Sequence, residues 1–402
     1  MHLWAVNWQE LIKNPDILRI IEENKEQNVA SLALKWANKK DLFTPFVLNQ
    51  IQGLQIAKRK IPSWSNYNEL IYPDKTAMEQ CSSELTAVFK SQLFKGMHVA
   101  DLTGGLGIDS YFISREADRL FYVEPDTHRY EIAQHNFKVL EANNVSFFNV
   151  TAEKFLEYQG LATLDYVYID PSRRNENKNR VFLLKDMQPD LSIIIDYFKQ
   201  FKVRMLIKLA PMLDIKAALK ELIDVKRVYV VSVEDECKEL LFDIDFRFDG
   251  APTINCVNLT NEKTQSFEYL IVEEEENSVV VTDALNYIYD PFSSLNKAGG
   301  FKSVANRFNL NKISNNTHLY ASNDLISDFF GNCFEVIRVD DFSSREFTGI
   351  ENKKGVIKIR NFRMTQSEIE KKTKITYGPD CFYFFFADAD NKMKVATTKK
   401  VY

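Results

Sequence analysis

The chain has 402 residues, 45% of them hydrophobic and 27% charged, and a formal net charge of −5 at pH 7. This composition is typical of a globular protein of two or three domains, and because no apolar run approaches the roughly 18 residues of a membrane helix, it excludes a membrane-spanning protein. The N-terminal segment carries acids and Trp where a signal peptide has a basic cap and a smooth apolar stretch, so we expect a cytoplasmic protein.

The five cysteines lie far apart, without a CxxC pair or a histidine at metal-ligand spacing, so we expect reduced thiols and no metal site. The charge is uneven along the chain. Residues 351–402 contain twelve Lys or Arg and six Asp or Glu, a net charge of +6, which leaves −11 for residues 1–350. A basic tail on an acidic body indicates a polyanionic partner, although a solvated helix face gives the same count.

Residues 1–90 have apolar positions at helical spacing, as in "WQELIKNPDILRIIEE" and "VASLALKWANK", and predict a helical N-terminal domain. No strand pattern precedes His98. A further amphipathic stretch, "TAMEQCSSELTAVFKSQLF" (76–94), predicts a helix that leads directly into a glycine-rich loop.

From His98 the pattern changes to short β-rich runs that alternate with helical segments, which is typical of βα units and a parallel sheet. The predicted strands are "HVADL", "RLFYVEP", "VSFFNVT", "LDYVYIDP", "RMLIKLA", "RVYVVSV" and "LLFDIDF". Only "EDECKE" separates the last two, which is too short for a parallel crossover, so they should pair antiparallel. The predicted fold class is therefore α/β, with a Rossmann-like sheet of six parallel strands and one antiparallel strand.

After Gly250, "PTINCVNLT" and "SFEYLIVEEEE" predict a hairpin or an extension of the sheet edge, and "SSLNKAGGFKSVANRF" (293–308) predicts a helix. The remainder alternates four strand patterns with a helix at Thr365–Lys374, which begins with the capping-box pattern Thr-Gln-Ser-Glu. We expect a small C-terminal α+β module.

The loop "DLTGGLGIDS" (101–110) joins the first predicted strand to a helix. It lacks the third glycine of a dinucleotide fingerprint and the Gly-Lys-Ser/Thr of a phosphate-binding loop. A carboxylate, Asp101, followed by Thr103, Gly104, Gly105 and Gly107 suits a ligand that carries a cation and hydroxyls but no phosphate, and S-adenosylmethionine fits this description. The glycines would let the backbone approach the methionine part, and Asp101 would hold the ammonium directly or through water.

Two further strand ends point to the same ligand. Glu124 ends the second strand and could accept both ribose hydroxyls, while Ala152 and Glu153 follow the third strand, where adenine would lie. Each feature alone is more often a tight turn or a solvated carboxylate. Their order and spacing together predict a nucleoside-like cofactor at the carboxyl ends of the strands.

The fourth strand ends in "YIDPSRRNENKNR", which places Asp170 and Pro171 where a transferred methyl group would emerge. Asp170 could accept the hydrogens of an exocyclic amine and align its lone pair, or it could be only a turn residue before Pro171. The arginines after it and the nearby basic residues could neutralise nucleic-acid phosphates, or they could form an ordinary surface loop. These basic residues are Arg173, Arg174, Lys178 and Arg180.

These segments resemble a class I S-adenosylmethionine-dependent methyltransferase: "DLTGGLGIDS" its cofactor loop, "VEPD" its second strand end, and "DPSRR" the catalytic loop of enzymes that methylate amino groups on nucleic acids. With "MEQCSSELTA", "LIKLAPMLD", "EDECKELL" and "GPDCFYFFF", essentially the whole chain is similar to bacterial methyltransferase-like proteins that have a ferredoxin-like insert and a THUMP-like C-terminal domain. The resemblance implies a helical domain at 1–90, a methyltransferase domain with a trailing hairpin at 91–276, a ferredoxin-like segment at 277–326 and a THUMP-like domain at 327–402.

THUMP domains in other proteins bind RNA, so the resemblance implies a tRNA or rRNA substrate. Two departures from the family pattern concern the site. Ser172 and Arg173 stand where (D/N)PP(Y/F) has its second proline and aromatic residue, and Arg173 could stack on a base instead. Thr103 replaces the usual first glycine of the loop. Two other family-like positions are Cys237, expected to pack, and Lys208, expected to meet a carboxylate such as Asp170 or to face the cleft.

Three hypotheses of function follow from these patterns. The first is an RNA methyltransferase that acts on a base amino group, with Asp170, Pro171 and Arg173 at the reacting end and the basic C-terminal module presenting the substrate. The second is a methyltransferase of the same fold that acts on a small molecule or a protein. The third is a protein that binds the cofactor without catalysis.

Overall fold

The computed structural model describes residues 8–37, 43–173, 186–342 and 353–402. The chain forms two compact units, the first made of Met1–Val225 and Phe242–Phe248 and the second of Lys226–Leu241 and Asp249–Tyr402. The four-domain division is finer than these two units and stays a prediction. No helix in the described ranges is both long and apolar enough to cross a membrane.

The first unit begins with a helical region. The described α-helices of the whole first unit are α1 (Trp8–Leu11), α2 (Pro15–Asn24), α3 (Val29–Lys35), α4 (Thr44–Lys60), α5 (Lys75–Gln80), α6 (Glu84–Ser91), α7 (Ile108–Glu116), α8 (Thr127–Val139), α9 (Ala152–Phe155), α10 (Leu191–Phe201) and α11 (Ile215–Glu221). Side chains of α1–α4 form one apolar core with Ile71 and with Ile132 of α8. Asn136 holds this junction, because its amide accepts from the backbone N–H of Ile71 at 2.8 Å and donates to its carbonyl at 2.9 Å.

The predicted single helix over 76–94 is wrong, because the chain leaves the helix at Cys81 and begins a new one at Glu84. Cys81 has extended backbone angles, and the Ser83 hydroxyl caps α6 by accepting from the N–H of Thr86 at 3.4 Å. A serine N-cap satisfies an amide that a continuous helix would bond internally, which explains the restart. The break leaves Ser82 in a turn between α5 and α6.

The strands of the first unit form a parallel sheet. They are β1 (His98–Asp101), β2 (Arg119–Val123), β3 (Val145–Phe148), β4 (Tyr166–Ile169) and β7 (Arg204–Leu209), and β5 (Ser172–Arg173) pairs with β6 (Met187–Gln188) in a separate ribbon. The order is β3-β2-β1-β4-β7, and all four pairings are parallel. Because the order reverses between β1 and β4, the crevice outside their carboxyl ends is the place where such sheets bind ligands.

A hairpin and two further strands follow, and most of their residues belong to the second unit. They are β8 (Val225–Val233), β9 (Glu236–Ile244), β10 (Thr253–Leu259) and β11 (Thr264–Leu270). Only Glu234 and Asp235 connect β8 to β9, both with positive φ, as a type I′ hairpin turn requires, and this confirms the predicted antiparallel pair.

β10 runs parallel to β8 and antiparallel to β11, which confirms the predicted edge extension. The seven predicted strands are all present, but six parallel and one antiparallel strand is too few, because β10 pairs with the open edge of β8 and β11 pairs with β10.

A second sheet completes this unit. Its strands are β12 (Tyr287–Pro291), β13 (Asn311–Lys312), β14 (Tyr320–Ser322), β15 (Gly331–Asp341), β16 (Val356–Arg360), β17 (Phe382–Ala387) and β18 (Met393–Lys400), in the order β13-β14-β12-β15-β18-β17-β16. The helices are α12 (Ile271–Glu276), α13 (Ser293–Ala298), α14 (Phe301–Phe308) and α15 (Gln366–Thr373). β17 alternates between two cores, with Phe384 facing one and Phe385 facing the core that contains Ile369 of α15.

Two helix predictions of the second unit have different outcomes. The Thr365–Glu368 capping box at the start of α15 is confirmed. The single helix over 293–308 is wrong, since Gly299 has a φ of +81° and ends α13 in a left-handed cap before α14 begins.

Candidate active site

A cavity of about 170 Å³ lies at the carboxyl ends of β1 and β4 in the first unit. Its walls come from the loop after β1, the start of α7, the turn between α5 and α6, and the ends of β4 and β7. The lining residues are Ala77, Gln80, Cys81, Ser82, Asp101, Thr103, Gly104, Gly105, Leu106, Ile108, Asp109, Arg129, Tyr168, Asp170 and Lys208.

Five of the eleven predicted site residues line this cavity directly. They are Asp101, Thr103, Gly104, Gly105 and Asp170. The lining does not include Gly107, Glu124, Ala152, Glu153 or Pro171, which lie on the elements around it. The side chain of Arg173 lies outside the described part of the chain, as do Arg174, Lys178 and Arg180.

The glycine loop has two residues with positive φ. Gly105, at +56°, has open space where a Cβ would stand, since the nearest atom is the Thr103 carbonyl oxygen at 3.6 Å. Gly107, at +78°, is the N-cap of α7, and a Cβ there would lie 2.6 Å from Cε2 of Phe137. Gly105 therefore presents bare backbone to the cavity, whereas Gly107 allows α7 to pack closely on α8.

Asp101 ends β1 and is only 1% exposed. Its Oδ1 accepts from the backbone N–H of Thr103 at 2.9 Å, and its Oδ2 accepts from the hydroxyl of Ser110. Burial raises the pKa of this carboxyl to about 7, against the opposing effect of the Ser110 and Thr103 hydrogen bonds. No described Lys, Arg or His forms an ion pair with Asp101, so its charge lacks a cationic partner.

Glu124 follows β2 and supports the glycine loop through a hydrogen bond to its backbone. Its Oε2 accepts from the N–H of Gly105 at 2.8 Å, and its Oε1 accepts from the N–H of Asp126 at 2.8 Å. The side chain is 5% exposed. Each carboxylate oxygen can accept a second hydrogen bond, so Glu124 keeps acceptor capacity beside Gly105.

Ala152 and Glu153 begin α9, after the N-cap Thr151. Ala152 is buried, and the carboxylate of Glu153 accepts from the N–H of Asp190 at 3.2 Å. The structure thus places both residues beyond the third strand, as the sequence predicts, and gives Glu153 a partner in the segment that leads into α10.

Asp170 follows β4 and is tied down at two points. Its backbone N–H donates to Oγ1 of Thr103 at 2.7 Å, and its Oδ2 accepts from Nζ of Lys208 at 2.6 Å. The side chain of Asp170 is 42% exposed. The alternatives that the sequence left open for Lys208 both hold, because it meets Asp170 and also lines the cavity.

A buried charge network lies beside Asp170, and the sequence did not predict it. Asp109 of α7 accepts from the hydroxyls of Ser82 at 2.8 Å and Tyr168 at 2.7 Å, and it pairs with Nζ of Lys90 at 3.3 Å and of Lys208 at 3.6 Å. Burial opposes ionisation of Asp109, yet the two ammonium groups and the two hydroxyls lower its pKa below the usual range. Lys90 is fully buried in α6.

The cavity fits a cationic nucleoside in two respects. Three carboxylates line it, those of Asp101, Asp109 and Asp170, against the two basic side chains of Arg129 and Lys208. The bare backbone at Gly105 also leaves room for a ligand to come close. The strand order, the glycine loop and the acidic cavity at the switch point are the features that the sequence led us to expect of a class I methyltransferase, the class that uses S-adenosylmethionine.

Comparisons with known proteins agree with this class. Residues 85–217 match a family model described as conserved hypothetical protein 95, a class I S-adenosylmethionine methyltransferase family, and residues 287–329 match a ferredoxin-like domain. A crystal structure of a protein named as a methyltransferase from Porphyromonas gingivalis W83 is 29% identical, covers 99% of this chain and 100% of that chain, and superposes with a TM-score of 0.87.

Two shorter structures resemble parts of the chain. An rRNA methylase from Streptococcus thermophilus is 12% identical and covers 40% of this chain and 93% of its own, with a TM-score of 0.30. A Streptococcus mutans protein in complex with S-adenosylhomocysteine is 17% identical and covers 40% and 96%, with a TM-score of 0.29. The curated proteins give no match.

The chain is therefore a class I S-adenosylmethionine-dependent methyltransferase that carries a ferredoxin-like domain. This confirms the fold class, the cofactor and the enzyme class that the sequence predicts.

Proposed function

We propose that the enzyme methylates an exocyclic amino group on an RNA base, in tRNA or rRNA, and that Asp170 receives that amino group. The observation that carries the proposal is the position of Asp170, which stands at the edge of the cavity beside the glycine loop and has a carboxylate oxygen, Oδ1, without a donor among the described residues. An amino N–H could donate to this oxygen, which would align the nitrogen lone pair with the incoming methyl group.

Different residues around the cavity would bind different parts of the cofactor. Asp101 and the backbone at Gly105 would hold the methionine part of the cofactor, Glu124 its ribose, and Ala152 with Glu153 its adenine. The bound cofactor supplies an electrophilic methyl group on a sulfonium sulfur. Transfer breaks the S–C bond and forms an N–C bond, and the proton that the amine loses passes to Asp170 or to water.

Support for RNA comes from the surface around Tyr377 in the second unit. Tyr377 is 82% exposed, the highest value among the described aromatic residues with large exposed surface. Its neighbour Thr376 donates its N–H to the carbonyl of Lys353 at 2.7 Å and bridges to Lys354, and Lys374 caps the end of α15. An exposed ring among lysines is suited to stack on an unpaired base while the ammonium groups meet phosphates.

The test is transfer of a radiolabelled methyl group from S-adenosylmethionine to total cellular RNA, with protein and metabolite extracts in parallel. We expect label in RNA, and Asp170→Asn should lower kcat by about a hundredfold because the amine loses its charged acceptor. Asp196→Asn, a matched change on the exposed face of α10, should leave the rate unchanged.

Label that appears only in metabolites or protein would refute the RNA proposal. It would favour a methyltransferase that acts on a small molecule or a protein, a hypothesis that the acidic charge of residues 1–350 and the missing aromatic residue after Pro171 support. Cofactor binding by calorimetry without transfer to any extract would favour the non-catalytic hypothesis.

A further inference from the structure

The ammonium group of Lys208 is surrounded by three oxygen-bearing side chains. Its Nζ lies 2.6 Å from Oδ2 of Asp170, 3.1 Å from the hydroxyl of Ser82 and 3.6 Å from Oδ2 of Asp109. The side chain is 15% exposed, although it lies in a strand whose other residues are mostly apolar. A lysine in such a strand is costly to bury unless it is paired, so this arrangement calls for an explanation in terms of what it holds.

Asp109 is fixed by contacts with several packed elements. Four groups converge on it: Lys90, Lys208, Ser82 and Tyr168, which come from α6, β7, the turn after α5 and β4. Two of these four groups, Lys90 and Tyr168, have almost no exposed surface. Packed elements thus fix Asp109 from several directions, and it offers Lys208 a fixed negative charge.

Asp170 is the exposed end of this chain of contacts. Its backbone is tied to Thr103 and its Oδ2 to Lys208, and no described group donates to its Oδ1. Lys208 thereby occupies one carboxylate oxygen and orients the other. A carboxylate without this partner would rotate about its side-chain bonds, since almost half of its surface is in solvent.

We propose that Lys208 and Asp109 are positioning residues of the transfer reaction: Asp109 holds the ammonium of Lys208, and Lys208 holds Asp170 with Oδ1 directed to the substrate amine. The inference rests on the proposed role of Asp170. It assigns Lys208 no proton transfer, because two carboxylates and a hydroxyl already surround the ammonium. The orientation of Asp170 is then set in part by α6 and α7, which supply Lys90 and Asp109.

The test separates kcat from KM for the acceptor that wild-type enzyme labels. Lys208→Met should lower kcat by about a hundredfold, the scale of a misplaced reacting group, with the affinity for S-adenosylhomocysteine within about twofold of wild type. Lys208→Arg should restore part of kcat, because a cation again reaches Asp170. Asp109→Asn should act in the same direction but less, since Lys208 keeps Asp170. Lys199→Met, which removes the surface pair with Asp224, is the matched control and should change nothing.

The decisive measurement is a double-variant cycle. If Lys208 acts through Asp170, the variant Asp170→Asn with Lys208→Met should be no slower than Asp170→Asn alone. Multiplied effects would overturn the inference, as would Lys208→Met with wild-type kcat, or with equal losses in kcat, cofactor affinity and melting temperature. A wild-type enzyme that labels no RNA would instead count against the proposed function, so the two failures are distinct.

Discussion

Asp101 predicts a pH-dependent affinity for the cofactor. Burial raises its pKa to about 7, and no described cation compensates the charge. At pH 6 the carboxyl is then about nine-tenths protonated in the free enzyme, from one unit between pH and pKa. If the ammonium of the ligand binds beside Asp101, the carboxyl must ionise, so binding releases a proton below pH 7 and weakens as the pH falls.

The magnitude follows from proton linkage. One proton released per site corresponds to a tenfold loss of affinity for each pH unit below 7, and the dependence should flatten above 7, where Asp101 is already ionised. The useful window is about pH 5.5 to 7, where Asp101 is mainly protonated in the free enzyme. Asp101→Asn keeps an acceptor for the N–H of Thr103 but cannot titrate, so its affinity should be lower and should not vary with Asp101 ionisation.

Calorimetry at pH 6 in two buffers of different ionisation enthalpy measures the released proton directly. We expect about 0.9 proton per bound S-adenosylhomocysteine for wild type. None should be released for Asp101→Asn, or for wild type with 5′-methylthioadenosine, which lacks the amino acid part. Proton release of the same size with 5′-methylthioadenosine or with Asp101→Asn would refute the assignment, because the titrating group would then be another residue.

Three further predictions concern other contacts. Gly104→Ala places a Cβ 2.2 Å from Cε2 of Tyr122, so we expect a loss of about 1–3 kcal/mol in unfolding free energy, measured by denaturation. Unchanged stability would contradict this close packing of Gly104 on Tyr122. Tyr166→Phe removes the hydroxyl that donates to buried Asp243 and should lower the unfolding free energy by about 1–2 kcal/mol in the same assay. An unchanged unfolding free energy would contradict a stabilising hydrogen bond. Tyr377→Ala should weaken binding of single-stranded RNA by about 1–3 kcal/mol in fluorescence anisotropy without lowering the melting temperature, and equal affinity would remove the surface from the proposal.

The strand-end residues were predictable because the rule that locates them is geometric. Parallel strands in a switched order deliver their carboxyl ends to one crevice, so Asp101 and Asp170, each read from a β-run that ends in a carboxylate, meet there. The sequence also predicted the hairpin at Glu234 and Asp235, because a short connection forbids a parallel crossover. In both cases chain connectivity alone restricts the outcome.

The charge network could not be predicted in the same way. Lys90 and Asp109 stand at positions of amphipathic segments where a charge is normally solvated, and nothing in their local pattern shows that α6 and α7 bring them together. Ser82 enters the site only because the helix breaks at Cys81. The one local signal of this break is Ser83, a favoured N-cap residue.

Asp101 and Asp170 lie in different electrostatic environments, and this difference determines which reactant each carboxylate binds better. Asp170 already has the ammonium of Lys208, so a further cation gains little there, and its remaining oxygen suits a neutral N–H donor. Asp101 is buried with hydrogen-bond donors but without a cation among the described residues, so ionising it costs free energy until a positive group arrives. A ligand with an ammonium group therefore gains most at the Asp101 end of the cavity, and a neutral amine gains most at the Asp170 end.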